Sequence, residues 1–248
     1  MALHFLVDDA QAAHVAGAVA GSTVELSGGE AHHAAVVRRV RVGEEVTVGD
    51  GRGVWLSGAV TEVAPKRVMV RVDARRDVSA ASPRLVLVQA LAKGDRDELA
   101  IQAATELGVD EVVPWQASRS VSRWSAEKAL KGVARWQQIV REAAKQAHRA
   151  WVPAVSEPVT SAQLARRADA RLLVLEPTAS TPLSTLVLDD VERDIVLVVG
   201  PEGGITPEEL DALQDAGATL VRLGDTVLRT STAGPAALAL LNARLGRW

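Results

Sequence analysis

Three glycines and a carboxylate lie within five residues of the C-terminal third of the chain, Gly200-Pro201-Glu202-Gly203-Gly204. Glycine permits positive φ angles and lets the main chain approach a ligand without an intervening Cβ atom. This loop can therefore offer backbone N–H and C=O groups to a ligand, with the Glu202 carboxylate beside them. The residue types predict a binding loop.

The segments on either side of this loop predict how it is positioned. Ile195–Val199 is a short apolar run without polar interruption, which is typical of a strand buried on both faces of a parallel sheet. Thr206-Pro207-Glu208-Glu209 is a capping box with proline at the first helical position, so a helix is expected to begin there. Open α/β sheets bind ligands where a strand, a turn and a helix N-terminus meet in this way.

Two further strand ends resemble the first. Ala218–Leu223 predicts a strand that is broken at Gly224, and the following residues lead into an Ala/Leu-rich helix, Pro235–Leu245. The strand Arg171–Leu175 ends at Glu176-Pro177, which is either a ligand contact or an ordinary exit from a strand. Neither glycine loop has the Gly-Lys-Ser/Thr of a P-loop or the GxGxxG of a dinucleotide-binding turn.

These segments carry a resemblance to a known family. Val199–Gly204, Leu223-Gly224 and Val227–Ala233, in this order, resemble the motifs of the knotted SPOUT methyltransferases, and specifically those of the ribosomal RNA small subunit methyltransferase E family. That family transfers a methyl group from S-adenosylmethionine to N3 of a uridine in 16S rRNA. The family usually has glutamate where this chain has Ser231, so no function that requires a carboxylate at that position is expected here.

The resemblance implies a SPOUT α/β methyltransferase domain with a parallel sheet and a trefoil knot at about 170–248. It also implies that the two glycine loops wrap S-adenosylmethionine, with backbone groups on the adenine edge and apolar side chains around it. The predicted cofactor-binding residues are Leu175, Glu176, Gly200, Pro201, Glu202, Gly203, Gly204, Leu223, Gly224, Val227 and Leu228.

Methylation of uridine N3 requires the loss of a proton whose pKa lies well above 7, so an enzyme must remove it or stabilise the anion. Arg229 follows the second glycine loop and is the first candidate for a stabilising or orienting function, although a structural salt bridge is the alternative. Glu202 is either a base or a residue that orients its loop. The predicted catalytic residues are therefore Arg229 and Glu202.

Residues 1–75 predict a small β-barrel. The strands Thr23–Leu26, Glu45–Val48, Val54–Val63 and Arg67–Val72 surround one predicted helix, Glu30–Arg39. The segments from His32 to Glu44 and from Asp50 to Gly53 are similar to the PUA-like RNA-binding domain of the same family, which implies RNA contacts for Arg38 and Arg39. Two adjacent histidines, His32 and His33, make no metal site without further ligands.

Residues 76–83 predict a linker, and 84–248 a second domain. Strands at Leu85–Leu91 and Glu111–Trp115 alternate with helices, which is typical of a parallel sheet. Asp95 and Glu98 form a predicted capping box for a helix that ends near Leu107. A weaker helix is predicted at Ser161–Ala168.

A basic helix is predicted at about 125–149. Residues 114–153 contain eight Lys/Arg against two Asp/Glu, so an acidic chain carries a local basic surface suited to a phosphate backbone. Family similarity supports RNA contacts for Lys93, Arg119, Arg135 and Arg149. On the helical wheel, the apolar side comprises Leu130, Val133, Trp136, Ile139, Val140, Ala143, Ala144 and Ala147. The basic side comprises Lys128, Lys131, Arg135, Arg141, Lys145 and Arg149.

Composition places few other limits on function. The net charge is −3, and the absence of cysteine fits a reducing compartment. With neither a signal peptide nor an apolar run of roughly 20 residues, the expectation is a cytoplasmic protein without membrane or metal. The resemblance implies 16S rRNA as a partner and a homodimer through the knotted domain.

Three alternatives remain open from the sequence: a non-catalytic RNA-binding protein on the same fold, a SPOUT methyltransferase with another RNA target, and a phosphate-binding α/β enzyme. The third is disfavoured because the glycine loop lacks lysine and Glu202 would repel phosphate.

Overall fold

The computed structural model describes residues 2–166, 169–188 and 193–248. The chain divides into two compact units. The first comprises residues 2–80 and Ala144–Val152, and the second comprises Ala81–Ala143 and Pro153–Trp248. Within the described ranges, every helix is too short or too polar to cross a lipid bilayer.

The first unit is a curled sheet with strand order β1-β3-β4-β5-β2. Strand β1 pairs parallel with β3, and the other pairings are antiparallel. Its elements are β1 Leu3–Leu6, α1 Asp9–Gly17, β2 Thr23–Ser27, α2 Gly28–His32, β3 Glu45–Gly49, β4 Val54–Ala64 and β5 Arg67–Asp77.

The four predicted strands of this unit are present, and three further features differ from prediction. The sequence analysis did not identify β1 or α1, because β1 has only four residues and α1 buries only Ala12 and Val15. The predicted helix Glu30–Arg39 is the short α2 followed by a π-helical turn, His33–Val37. Arg39 then takes a left-handed conformation with φ 55°, which ends the helical segment.

Strand β1 of the first unit contains a buried histidine, His4. The His4 ring stacks on Trp55 with centroids 4.1 Å apart, and its Nδ1 lies 2.9 Å from the Thr47 hydroxyl. Its Nε2 is buried without a hydrogen-bond partner in the described part of the chain. Burial, followed by the charges of His148 and Lys145, lowers the pKa of His4 from 6.5 to about 3. His4 is therefore neutral in the folded protein at physiological pH.

The second unit is built on a parallel sheet with the order β12-β10-β11-β6-β7-β8, in which β9 also pairs with β7. All of these pairings are parallel. The strands are β6 Leu85–Ala90, β7 Glu111–Gln116, β8 Ala154–Val155, β9 Val159–Thr160, β10 Arg171–Leu175, β11 Ile195–Val199 and β12 Thr219–Val221. The helices are α3 Arg96–Glu106, α4 Ala126–Gln146, α5 Ser161–Leu164, α6 Pro207–Asp215 and α7 Thr230–Arg244, with a 3₁₀ turn at Leu183–Thr185. The last three residues of α4 belong to the first unit.

Strand β11 lies between β10 and β6, and all five of its residues are buried, as its apolar sequence predicts. Each such aliphatic side chain contributes about 1.5–3 kcal/mol when fully buried. The capping box at α6 is also confirmed: the Thr206 hydroxyl accepts from the Glu209 N–H, and the Glu209 carboxylate accepts from the Thr206 N–H.

The predicted capping box at α3 is wrong. Asp95 occupies the N-cap position, but its side chain makes no capping hydrogen bond. Glu98 instead pairs with Arg135 of α4, with Nη2 and Oε2 2.8 Å apart. The Asp97 carboxylate accepts from the Ala92 N–H at 3.2 Å and the Glu98 N–H at 2.9 Å, so it organises the start of the helix.

Two other helix predictions need correction. Helix α7 begins at Thr230, one and a half turns before the predicted Pro235, which lies inside the helix. Helix α5 ends at Leu164, within the predicted Ser161–Ala168, and residues 167–168 of that prediction lie outside the described residues.

The predicted faces of α4 are correct for Trp136, Val140 and the neighbouring alanines, which are buried. Two residues differ from the predicted pattern. Leu130 is 75% exposed, and Lys145, expected on the basic side, is only 4% exposed. The Lys145 ammonium lies 2.7 Å from the Glu30 carboxylate, so an ion pair within the first unit accounts for its burial.

The His4 environment predicts an acid-sensitive stability. Because the folded-state pKa lies below the unfolded value, the contribution of His4 is complete above about pH 6.5 and is lost as the pH falls towards about 3. The slope is at most about 1.4 kcal/mol per pH unit. We expect urea unfolding of His4→Phe, which keeps a ring against Trp55, to show a flatter pH dependence than the wild type. Parallel curves for the two proteins would contradict this assignment.

Candidate functional site

Three strands of the second unit end at the same level. In the parallel register Leu175 of β10 pairs with Val199 of β11 and with Val221 of β12, so the loops that follow all begin at one edge of the sheet. These loops and the start of α7 enclose a cavity of about 300 Å³. The cavity lies where open α/β sheets bind ligands.

Most of the predicted cofactor-binding residues lie around this cavity. They are Leu175, Glu176, Gly200, Pro201, Glu202, Gly204, Leu223, Gly224, Val227 and Leu228, together with Arg229. Gly203 is not in the cavity wall, and its carbonyl oxygen accepts from the Arg119 guanidinium at 3.1 Å. The wall also contains Arg96, Pro177, Val199, Ile205, Val221, Arg222, Thr226, Thr230 and Ala233, which the sequence analysis did not assign to the site.

The glycine at position 200 is required by packing within the chain itself. An added Cβ would lie 2.7 Å from Cγ1 of Ile205, a buried residue in the same loop. Gly204 has a φ of 74°, a conformation that L side chains rarely adopt. The loop therefore requires both glycines for its own conformation, independently of any ligand.

A hydrogen-bond chain ties the first turn of α7 to the glycine loop. The buried Thr230 hydroxyl donates to the Gly200 carbonyl at 2.9 Å and accepts from the Gln89 side-chain amide of β6, also at 2.9 Å. Sequence reasoning did not assign these two residues. One sequence feature could have indicated this interaction: Gln89 is a single polar residue near the end of an otherwise apolar strand.

The Glu202 carboxylate lies between the glycine loop and the loop after β6. Its Oε1 accepts from the Lys93 N–H at 3.2 Å and from the Arg96 guanidinium at 3.0 Å. Burial raises the pKa of Glu202, but hydrogen bonds from its own backbone N–H, from the Lys93 N–H and from Arg96 outweigh burial, so the pKa is lowered overall. Glu202 is therefore a stable anion and a weak base at neutral pH.

A second carboxylate anchors the far end of the glycine loop. Glu209, at the start of α6, accepts from the Ser118 N–H at 2.9 Å and the Ser161 hydroxyl at 2.5 Å. Burial raises the pKa of Glu209, but these bonds and the one from the Thr206 N–H lower it overall. One buried anion thus joins the loop after β7, the start of α5 and the start of α6.

Arg229 occupies the N-cap position of α7, and its exposed side chain lines the cavity. It makes no ion pair with any described residue, so the alternative of a structural salt bridge finds no partner in that part of the chain. Its positive charge is available to a ligand. Ser231 is the second residue of α7 and is half-buried.

The predicted RNA-binding residues are divided between the two units. Lys93 and Arg119 are exposed beside the glycine loop, and Arg135 is exposed but paired with Glu98. In the first unit, Arg38 and Arg39 are exposed after the π-helical turn, and Arg149 is half-buried.

Comparison with known proteins supports this picture. Residues 80–242 match the family model of an RNA methyltransferase domain, and residues 26–73 match that of an RNA methyltransferase PUA domain. A ribosomal RNA small subunit methyltransferase E from Mycobacterium bovis is 42% identical over 234 residues, which cover 92% of this chain and 89% of the relative. The Bacillus subtilis protein of the same name is 31% identical over 229 residues, which cover 89% and 90% of the two chains.

Solved structures give the same result. The ribosomal RNA small subunit methyltransferase E of Neisseria gonorrhoeae, bound to S-adenosylmethionine, matches with a TM-score of 0.85 and 28% identity. The match covers 98% of both chains. The parallel sheet and the curled sheet therefore define an RNA methyltransferase with a C-terminal α/β domain and a small N-terminal PUA-like barrel, as predicted. The chain belongs to the ribosomal RNA small subunit methyltransferase E family.

The Thr230 hydrogen bonds can be tested by a pair of isosteric substitutions on α7. Thr230→Val removes the hydroxyl that serves both Gly200 and Gln89, and leaving buried polar groups unpaired costs about 1–3 kcal/mol each. We expect a corresponding loss of unfolding free energy in urea titrations. Thr232→Val, at an exposed position of the same turn, is the matched control and should stay within about 0.5 kcal/mol of the wild type. Equal stability of the two variants would refute the assignment.

Proposed function

We propose that the protein methylates N3 of a specific uridine in 16S rRNA, with S-adenosylmethionine bound in the cavity at the ends of β10, β11 and β12. The observation that carries the proposal is this cavity, with the Gly200–Gly204 loop in its wall and with Arg229, which makes no ion pair with any described residue. The structural relative that contains S-adenosylmethionine matches across nearly the whole chain.

The cavity suits such a cofactor in size and chemistry. Its volume of about 300 Å³ is at the lower end of the range of roughly 300–1,000 Å³ for small-molecule sites. Leu223, Val227 and Leu228 present apolar surface suited to an adenine ring, and the loop main chain presents donors and acceptors for its polar edge. When bound, S-adenosylmethionine supplies an electrophilic methyl group.

The residues of the chain then position and stabilise the nucleophile. Methylation replaces the N3–H bond with an N3–methyl bond, and the N3 proton is released to water. Loss of that proton leaves negative charge on the uracil ring. We assign the Arg229 guanidinium, in the wall of the cavity, to stabilising that charge. Because the pKa of Glu202 is lowered, we assign it the positioning of Arg96 and the Lys93 loop rather than proton abstraction.

The wider assignments rest on family membership. We propose a PUA-like RNA-binding domain at 1–75 with Arg38 and Arg39 in contact with rRNA, a linker at 76–83 whose first two residues still belong to β5, and a methyltransferase domain at 84–248 apart from residues 144–152, which belong to the first unit. A trefoil knot at about 170–248, a homodimer formed through the knotted domain and a cytoplasmic location complete the proposal.

Arg229 is tested by its removal and by a charge-preserving replacement. We expect Arg229→Ala to lower kcat by about 100-fold, the scale of losing one group that stabilises transition-state charge, while Arg229→Lys retains an intermediate rate. The assay follows labelled methyl transfer into 30S subunits from a strain that lacks this protein, with mapping of the modified base. Calorimetry with S-adenosylhomocysteine should show that the alanine variant still binds the cofactor product. Near-normal turnover of Arg229→Ala would exclude Arg229 from the mechanism.

Glu202→Gln separates a positioning function from that of a general base. A glutamine retains an acceptor for Lys93 and Arg96 but cannot take a proton, so we expect kcat to fall by less than about 10-fold with an unchanged pH–rate profile. Loss of the general base would instead cost about 100-fold or more. A loss of that size, together with a missing limb of the profile, would identify Glu202 as the base.

A further inference from the structure

A second cavity of about 380 Å³ lies in the second unit, beside the first. It is enclosed by the loop between β6 and α3, the loop between β7 and α4, and one turn of α4. The residues that define its character are Lys93, Gly94, Ser122, Trp124, Gly132 and Arg135. The sequence analysis predicts RNA contacts for Lys93 and Arg135 in its wall, but it assigns no function to Trp124 or Gly132.

Trp124 is held rigidly in its wall. Its backbone N–H donates to the Gln116 side-chain oxygen at 3.0 Å. Its indole packs edge to face on the buried Trp136 ring, with centroids 5.5 Å apart and an interplanar angle of 74°. The indole lies directly on α4 at Gly132, where an added Cβ would be only 2.5 Å from Cη2. The absence of a side chain at Gly132 thus lets the Trp124 ring pack against α4, and the ring remains partly exposed in the cavity.

Polar and charged groups surround this ring. Lys93 is exposed and makes no ion pair among the described residues, whereas Arg135 is fixed by Glu98. The pKa of the Asp97 carboxyl in the same wall is raised overall, because the effect of burial exceeds that of the backbone N–H hydrogen bonds, which lower it. The cavity therefore combines an aromatic surface, the carboxyl groups of Asp97 and Glu98, and the Lys93 ammonium, which has no ion-pair partner in the described part of the chain. Lys93 at its edge is the group suited to a negatively charged part of a planar polar ligand.

Glu202 connects the two cavities. It lines the first, and its carboxylate accepts from the backbone of Lys93, which lines the second. A polymer whose reacting unit lay against the opening of the first cavity, beside the bound methyl donor, would bring its neighbouring unit close to the second cavity. Single-stranded nucleic acid has this form, because planar bases that stack on aromatic side chains alternate with phosphates that attract lysine.

We infer that the second cavity binds a nucleobase adjacent to the methylated uridine in the same RNA strand, stacked on Trp124 with Lys93 near its phosphate. This inference rests on the proposed function. It assigns Trp124 to substrate recognition and leaves the methyl donor site unchanged.

The test uses the full-length protein and 30S subunits from a strain that lacks it. Gly132→Ala favours the helix but forces the indole from its seat, Trp124→Leu removes the ring, and Trp124→Phe preserves an aromatic face. Trp248→Leu, at a tryptophan that is 65% exposed, is the matched control. KM for 30S subunits, kcat, the affinity for S-adenosylhomocysteine and the thermal midpoint are measured for each protein.

We expect Gly132→Ala and Trp124→Leu to raise KM for 30S subunits by about 10-fold, the scale of one lost base–aromatic stack. Affinity for S-adenosylhomocysteine should stay within about twofold of the wild type, and Trp124→Phe should recover most of the KM. An unchanged KM in folded Gly132→Ala, in a preparation whose wild type is active, would overturn the nucleobase site alone. A parallel loss of S-adenosylhomocysteine affinity would also overturn it, because the cavity would then serve the donor site. A wild type that transfers no methyl group to 30S subunits would overturn the proposed function itself.

Discussion

The parallel register of three buried strands determines where the site forms. Because β10, β11 and β12 are aligned so that Leu175, Val199 and Val221 pair, the chain leaves the sheet three times at one edge. The side chains of β11 are all aliphatic and buried, so the strand itself contributes no polar side chain. The polar chemistry of the site must come from loop backbone and from residues beyond the strand ends. Glycine-rich loops and the N-terminus of α7 supply it.

Local sequence patterns predicted the structure correctly where no residue distant in the sequence forms an ion pair with the side chain concerned. The strand Ile195–Val199 and the capping box of Thr206 and Glu209 were predictable because apolar continuity and a four-residue motif determine them. The box expected at Asp95 failed because Glu98 pairs with Arg135, 37 positions further along the chain. The prediction that Lys145 lies on the basic side of α4 failed for the same reason, because Lys145 is buried in an ion pair with Glu30, 115 residues away. Periodicity contains no information about such partners.

The candidate site shows the same division. The sequence motifs predicted most of the loop residues that line the cavity. Glycines between a strand and a helix indicate a loop whose backbone can contact a ligand. The motifs missed Arg96, Gln89 and Thr230, whose importance depends on which strand lies next to which. The sequence analysis attributed Gly200 to close approach of a ligand. In the structure, it is the Ile205 side chain that leaves no room for a Cβ atom at this position. The second cavity depends on Gly132 accommodating Trp124 from another segment, and no helical pattern predicts that.

Glu209 has a consequence for how the cavity meets its ligand. By holding Ser118, Ser161 and the start of α6 together, this buried anion fixes the downstream end of the glycine loop before anything is bound. The upstream end is fixed by Thr230. On this side of the cavity a ligand therefore meets a preorganised wall, and little of its binding energy is lost to ordering the glycine loop.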